Sequence, residues 1–171
     1  MFFLNRLASF ALAITLCLGA PLALADQLAA PTGEPLLTVR GDIGNTNEDG
    51  TAVFDRAMLE AMPATTITTK TIWTEGEQTF VGVSLKALMD AVAADGSTLR
   101  AIALNDYAVE IPMAEAMSGA PVLAYRLNGE TMSVRNKGPL WIIYPYDSDP
   151  EYRSEVVYSR SIWQLSALEV E

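Results

Sequence analysis

The chain has 171 residues, 21 of them acidic and 11 basic, with one cysteine and no histidine, and a net charge of −10. With no histidine and its one cysteine at position 17, the chain beyond the first residues has no imidazole base, thiolate nucleophile, zinc finger or haem ligand. Any chemistry there rests on carboxylates, Lys, Tyr, Ser, Thr or a bound cofactor, and the acidic balance argues against nucleic acid or anionic lipid as a partner.

Residues 1–25 have the three parts of an export signal. Arg6 is the lone charge at the start, residues 7–18 are almost wholly apolar, and Ala23-Leu24-Ala25 is a small-x-small cleavage site before Asp26. The apolar run falls short of the ~20 residues that a membrane-spanning helix needs. The expectation is therefore a cleaved signal peptide, release into the periplasm and no membrane insertion afterwards. Cys17 leaves with the leader. The remaining 146 residues carry 21 acidic against 10 basic side chains, a net charge of −11, and are long enough for one domain with its own core.

Residues 26–35 are small, polar and proline-bearing, and read as a flexible lead-in. Residues 36–41 form a first strand and 42–50 a long polar turn. Asn45, Asn47, Asp49 and Gly50 have the spacing of a calcium loop. The twelfth position is Arg56, however, where a bidentate carboxylate is required, so a plain turn is expected. Asp55 is an N-cap for a short helix bearing Met58, Leu59 and Met62; Phe54 and Leu59 occupy the staple positions, and Pro63 ends it. The β-branched run 65–73 predicts a strand. A turn at Glu75-Gly76 leads to a second strand, 78–83. Ser84 then caps a helix with Leu85, Leu88, Met89 and Val92 on one face and Gly96 beyond its end.

Strands 98–104 and 108–111 flank a turn at Asn105-Asp106-Tyr107, and 112–117 is one helical turn. Strands 121–127 and 130–134 flank Asn128-Gly129, whose residue types suit the two positive φ angles of a type I′ hairpin turn. Residues 140–144 form an apolar strand, 147–151 a polar loop, and 154–170 closes the sheet. Strands outnumber helices, so the class is α+β, mostly β, with mixed sheets and short helices.

The order of these residues resembles the molybdopterin-binding domain of the sulfite oxidase family. Leu123-Ala124-Tyr125-Arg126-Leu127-Asn128-Gly129-Glu130 is similar to the family's "LAY-x-MNGE" hairpin. Gly138-Pro139-Leu140-Trp141-Ile142-Ile143-Tyr144-Pro145 is similar to its "HGAPLRLVVP" strand, and Ser161-Ile162-Trp163-Gln164-Leu165 to "SVKWL". Asn105-Asp106-Tyr107 ahead of Ile111-Pro112 resembles "DGY…IP", and Phe80-x-Gly82-Val83-x-Leu85 resembles "W-x-GV-x-L". The likeness spans most of residues 36–171 and implies the family's fold.

The departures fall on the family's enzyme chemistry. Those enzymes hold molybdenum through a pterin dithiolene and a protein cysteine, where this chain has Thr68 to Trp73 without one. Threonine does not replace a soft thiolate at such a centre. Asn136-Lys137 stands in place of a histidine, and Trp141 and Trp163 in place of cationic phosphate-binding residues.

The pattern is similar to that of small periplasmic pterin-binding regulators of the PruR-like group. They keep the fold without the metal, bind a tetrahydropterin and act on the periplasmic domain of a membrane signalling protein, such as a cyclic-di-GMP enzyme. The resemblance thus implies a reduced pterin as ligand in place of molybdopterin, with no metal. A divergent molybdopterin-dependent oxidoreductase without the metal cysteine is the alternative.

A flat pterin needs aromatic faces, and its aminopyrimidinone edge needs hydrogen-bond partners. Candidate faces are Trp73, Tyr107, Trp141, Tyr144 and Trp163. Asp106 and Glu110 are candidate edge acceptors. Arg135, Lys137 and Arg160 are candidate donors, and Asn105 and Ser161 belong to the same family segments. Trp141 and Tyr144 share one apolar strand, which leaves open which of them packs in the core.

Overall fold

The computed structural model describes residues 28–171. The expected export signal, with Cys17, lies outside the described residues. Among the described residues no helix is long and apolar enough to cross a membrane.

Among the described residues, ten strands form two five-stranded sheets. In the first sheet, β1 (Pro35–Gly41) lies between β2 (Ala52–Asp55) and β10 (Leu165–Val170). Beyond β10 come β5 (Thr98–Ala103) and β6 (Ala108–Pro112). The β1–β10 pair is parallel and the other pairs antiparallel. In the second sheet, β3 (Ala64–Lys70) pairs with β4 (Glu77–Ser84), and β4 with β7 (Val122–Leu127). Two short strands, β8 (Glu130–Thr131) and β9 (Trp141–Ile143), share the far edge of β7.

Local chemistry accounts for many element ends. Asp55 caps α1 (Arg56–Ala61) by accepting from Met58 N, and Ser84 caps α2 (Leu85–Ala91) by accepting from Ala87 N. Each satisfies a helix-end donor that has no intrahelical partner. Asn128 and Gly129 take φ of 51° and 85°, the double left-handed pair of a type I′ turn. The predicted helical turn is α3 (Met113–Ala116).

Some expectations change. β2 was not foreseen; it pairs with β1 and is buried along its whole length. The run 154–170 is not one strand. Ser154 accepts from Val157 N and caps α4 (Glu155–Arg160), and β10 begins only at Leu165. A capped first turn with Glu155 outweighs the strand preference of Val156, Val157 and Tyr158. Gly96 lies beyond the end of α2, as expected, without capping it. Ala93 takes the left-handed position there, with φ of 49°, and Gly96 lets the Glu171 carbonyl come close, where a Cβ would stand 2.6 Å away. Finally, residues 28–34 of the lead-in are tied down. Thr32 N and Gly33 N donate to Asp55 Oδ2 at 2.8 and 2.7 Å, and Asn47 Nδ2 donates to Ala29 O at 2.7 Å. Asp55 thus serves two segments, and its bonds from the Met58 and Gly33 amides hold its carboxyl below the usual carboxylate range.

The core lies between the sheets, and its largest fully buried side chains are Trp141, Tyr144, Tyr146, Phe54 and Phe80. At Gly82 the β4–β7 register shifts, and a Cβ there would overlap the Leu123 carbonyl, so only glycine fits this close approach.

Candidate functional site

Three segments far apart in sequence meet at one opening. β5 pairs with the start of β10 through Ala103 and Leu165, and Leu104 N donates to Gln164 O at 2.9 Å. These bonds seat the β5–β6 turn beside the α4–β10 connection. An isolated bridge between Trp141 and Trp163 then joins that connection to β9. Trp73 enters from the β3–β4 loop. Its backbone N–H donates to Thr71 Oγ1 at 3.1 Å, and Thr71 and Thr74 share a hydroxyl hydrogen bond of 2.7 Å. This side-chain turn competes with the strand ladder and ends β3 before Trp73, which aims the indole inward.

The convergence encloses a cavity of about 450 Å³. Trp73, Tyr107, Tyr158 and Trp163 supply its aromatic walls, Ile72 and Ile162 its aliphatic ones, and Asn105, Ser159, Ser161 and Gln164 its polar groups. No lining side chain carries a formal charge at neutral pH. The volume lies within the range of roughly 300–1,000 Å³ that small-molecule sites occupy.

Trp73 is the hub of the aromatic wall. Its ring lies edge-on to Trp141, Tyr158 and Trp163 at centroid distances of 5.7, 5.8 and 5.8 Å, and to Tyr146 at 6.2 Å. Edge-to-face geometry brings the positive ring edge to a negative face, so the cluster is stiff as well as apolar. Trp141 is fully buried and donates from Nε1 to Ser161 O at 3.0 Å. Trp163 keeps 38% of its surface exposed at the mouth.

Of the residues expected in the site, the cavity gathers Trp73, Asn105, Tyr107, Ser161 and Trp163. Ser161 presents little to a ligand through its hydroxyl, which accepts from Tyr146 Oη at 2.6 Å and donates to Val157 O at 2.8 Å. Burial pushes the Tyr146 phenol up to about 12.

The other expected residues, Trp141 among them, lie outside the lining. Tyr144 is fully buried and donates to Glu115 Oε1 at 2.6 Å, so it is a core residue, and burial raises its pKa strongly. Arg160 is held by an ion pair with Glu115 and donates from Nε to Glu110 O at 3.2 Å. Asp106 does not line the cavity. It is exposed and turns the β5–β6 loop at φ of 64°, a position that Asp tolerates better than most residues. Arg135 is exposed on a short 3-10 turn (Val134–Asn136), away from the lining. Lys137 is not in the lining either, but its Nζ stands 5.3 Å from the Trp163 ring centroid and 5.7 Å from that of Trp141. There it braces the two indoles by cation–π attraction, worth about 0.5–1 kcal/mol where exposed. Glu110, the other proposed edge acceptor, is also exposed and outside the cavity.

Sequence reasoning missed Tyr158, Ser159 and Gln164. The first two stand on α4, which was read as strand. Gln164 owes its place to an unusual backbone, with φ of 54°.

A molybdenum centre held by a protein ligand does not fit these residues. Among the described residues no three His, Cys, Asp or Glu side chains gather as a metal site, and the cavity lining has neither a soft ligand nor a cation for the cofactor's phosphate.

No curated protein matches the sequence. Among solved structures, the chain is similar to one chain of the sulfane dehydrogenase SoxCD from Paracoccus pantotrophus, with a TM-score of 0.60 and 20% identity. The match covers 78% of this chain and 37% of that one, so this chain spans well under half the length of its structural neighbour. At that identity the likeness establishes the fold alone. Residues 52–147 match the family described as the oxidoreductase molybdopterin binding domain. They include Trp73 and the β5–β6 turn, and the remaining cavity wall follows in α4 and the segment before β10. The chain belongs to the oxidoreductase molybdopterin-binding domain family.

Proposed function

We propose that the domain binds a neutral reduced pterin, such as a tetrahydropterin, without metal, and reports its presence after export to the periplasm. The observation that carries this reading is the aromatic, uncharged cavity of about 450 Å³ in a domain of a pterin-cofactor family. Indole and phenol faces suit a flat heterocycle, and neutral amides and hydroxyls suit its polar edge. A phosphorylated or metal-bearing cofactor would meet no countercharge in the lining and an acidic protein around it.

The reporting role rests on the export signal and the exposed mouth. Ile72, Leu104, Tyr107 and Trp163 are exposed apolar residues at or beside the opening. Such a rim suits a partner that reads the occupied cavity, and our candidate is the periplasmic domain of a membrane signalling protein, such as a cyclic-di-GMP enzyme. Mass spectrometry of small molecules released from denatured native protein tests the ligand. A pterin at near one equivalent is expected, and its consistent absence from protein made in a pterin-producing host would count against the reading.

The second reading is a divergent molybdopterin-dependent oxidoreductase, or a subunit of one, which the family match favours. Metal analysis separates the two. Molybdenum near one atom per chain, from a cofactor-competent host, supports the oxidoreductase and sinks the metal-free reading.

A further inference from the structure

Two carboxamides line the cavity, and each has one end already engaged. Gln164 Nε2 donates to Val134 O at 2.7 Å. Asn105 Oδ1 accepts from Tyr107 N at 3.2 Å. An amide has an acceptor oxygen and a donor nitrogen, so these bonds anchor one end of each and leave the opposite end wholly unengaged. Gln164 is left with Oε1, an acceptor, and Asn105 with Nδ2, a donor. Among the described residues neither of these atoms has a partner.

The backbone brings the two segments to the same cavity. Leu104 N donates to Gln164 O at 2.9 Å, and Gln164 N donates to Lys137 O at 3.1 Å, so both backbone groups of Gln164 are used. Its φ of 54° is in the left-handed region that a side chain as long as glutamine seldom takes. Backbone held in such a region marks positions that the surrounding structure over-determines, commonly where a ligand is clamped.

We infer that Asn105 and Gln164 form a reader of a cis-amide edge, in which a ligand N–H donates to Gln164 Oε1 and the adjacent ligand C=O accepts from Asn105 Nδ2. This rests on the pterin reading and sharpens it. The aminopyrimidinone ring of a pterin has such a lactam edge, with a ring N–H beside a carbonyl. In a 2,4-diamino analogue the carbonyl is replaced by an amino donor and the neighbouring ring nitrogen becomes an acceptor. Donor and acceptor change places, and both groups then face a like partner. The two carboxamides take over the role that sequence reasoning gave to Asp106 and Glu110.

The test is calorimetric titration of the mature protein with 6-methyltetrahydropterin and with its 2,4-diamino counterpart. The lactam compound is expected to bind about tenfold or more tightly, because the mismatched edge leaves polar groups unpaired on both sides. Asn105→Asp keeps the Oδ1 acceptor for Tyr107 N and turns the donor into an acceptor. It is expected to move the preference toward the diamino compound, a change in selectivity that a purely structural role would not produce. A circular dichroism melt confirms that the variant is folded. Equal affinity of the wild type for both compounds, or an unchanged preference in Asn105→Asp, overturns the edge reader while leaving pterin binding intact. Binding of neither compound by the wild type overturns both.

Discussion

Tyr144→Phe separates core from cavity. The Tyr144 ring is fully buried against Tyr146 and Tyr152, at centroid distances of 6.4 and 6.2 Å, and its hydroxyl meets Glu115 at 2.6 Å. Removing the hydroxyl leaves the ring packing intact and deletes one hydrogen bond to a charged group, typically worth about 1.5–3 kcal/mol. Glu115 is 25% exposed and keeps Arg160 as a partner. The loss is therefore smaller, about 1–2 kcal/mol once solvent screening is counted. For a domain of this size that lowers Tm by about 2–8 °C. Because Tyr144 does not line the cavity, pterin affinity should stay within about twofold, less than 0.5 kcal/mol. The assay pairs a calorimetric melt with a calorimetric titration on the same preparation. An unchanged Tm together with a large loss of affinity would refute the placement of Tyr144 in the core and return it to the ligand.

Trp163→Ala should behave in the opposite way. Its ring reaches the mouth, so calorimetric titration should show pterin affinity falling about tenfold or more, with a melt confirming that the variant is folded. Asp55 predicts an acid-side change. Its folded pKa lies below the ordinary 3.8, so its contribution is complete above that value and is lost as pH falls through the folded pKa. Chemical denaturation between pH 5 and 2, on the order of the carboxylate range, should show a shallower acid decline in Asp55→Asn, and hydrogen exchange should show the Thr32 and Gly33 amides less protected. Tyr146 predicts an alkaline change with the reverse sign. Its folded pKa is raised from 10.0 to about 12, so its contribution is complete below pH 10 and is lost as pH rises through the folded value. Absorbance at the tyrosinate band should accompany unfolding, and Tyr146→Phe should flatten the stability decline over that interval.

How much of this was legible depends on whether the cause was local. The Asp55 and Ser84 caps and the Asn128-Gly129 turn were readable because each is set by a residue and its near neighbours. The parallel β1–β10 pair was not, since it joins residues such as Arg40 and Glu169 from opposite ends of the domain. α4 was lost for another reason: three strand-favouring residues after Ser154 concealed a sound N-cap.

The same division runs through the site. Family likeness together with residue type singled out Trp73, Tyr107 and Trp163, which line the cavity. Tyr144 and Arg160 were misplaced because residue type does not reveal whether a side chain faces the cavity or Glu115. Gln164 was invisible because its use depends on a left-handed backbone and on bonds to Val134 and Leu104, both distant in sequence.

The most direct test of pterin binding is titration of the mature protein with tetrahydropterin under anaerobic conditions, followed by tryptophan emission. All three tryptophans belong to the Trp73 cluster, so a stacked pterin should quench them together. The account predicts saturable one-to-one quenching at micromolar ligand, moved about tenfold or more to higher ligand in Trp163→Ala, with no molybdenum in the protein. Emission that stays flat, or falls only linearly with added pterin, would contradict it.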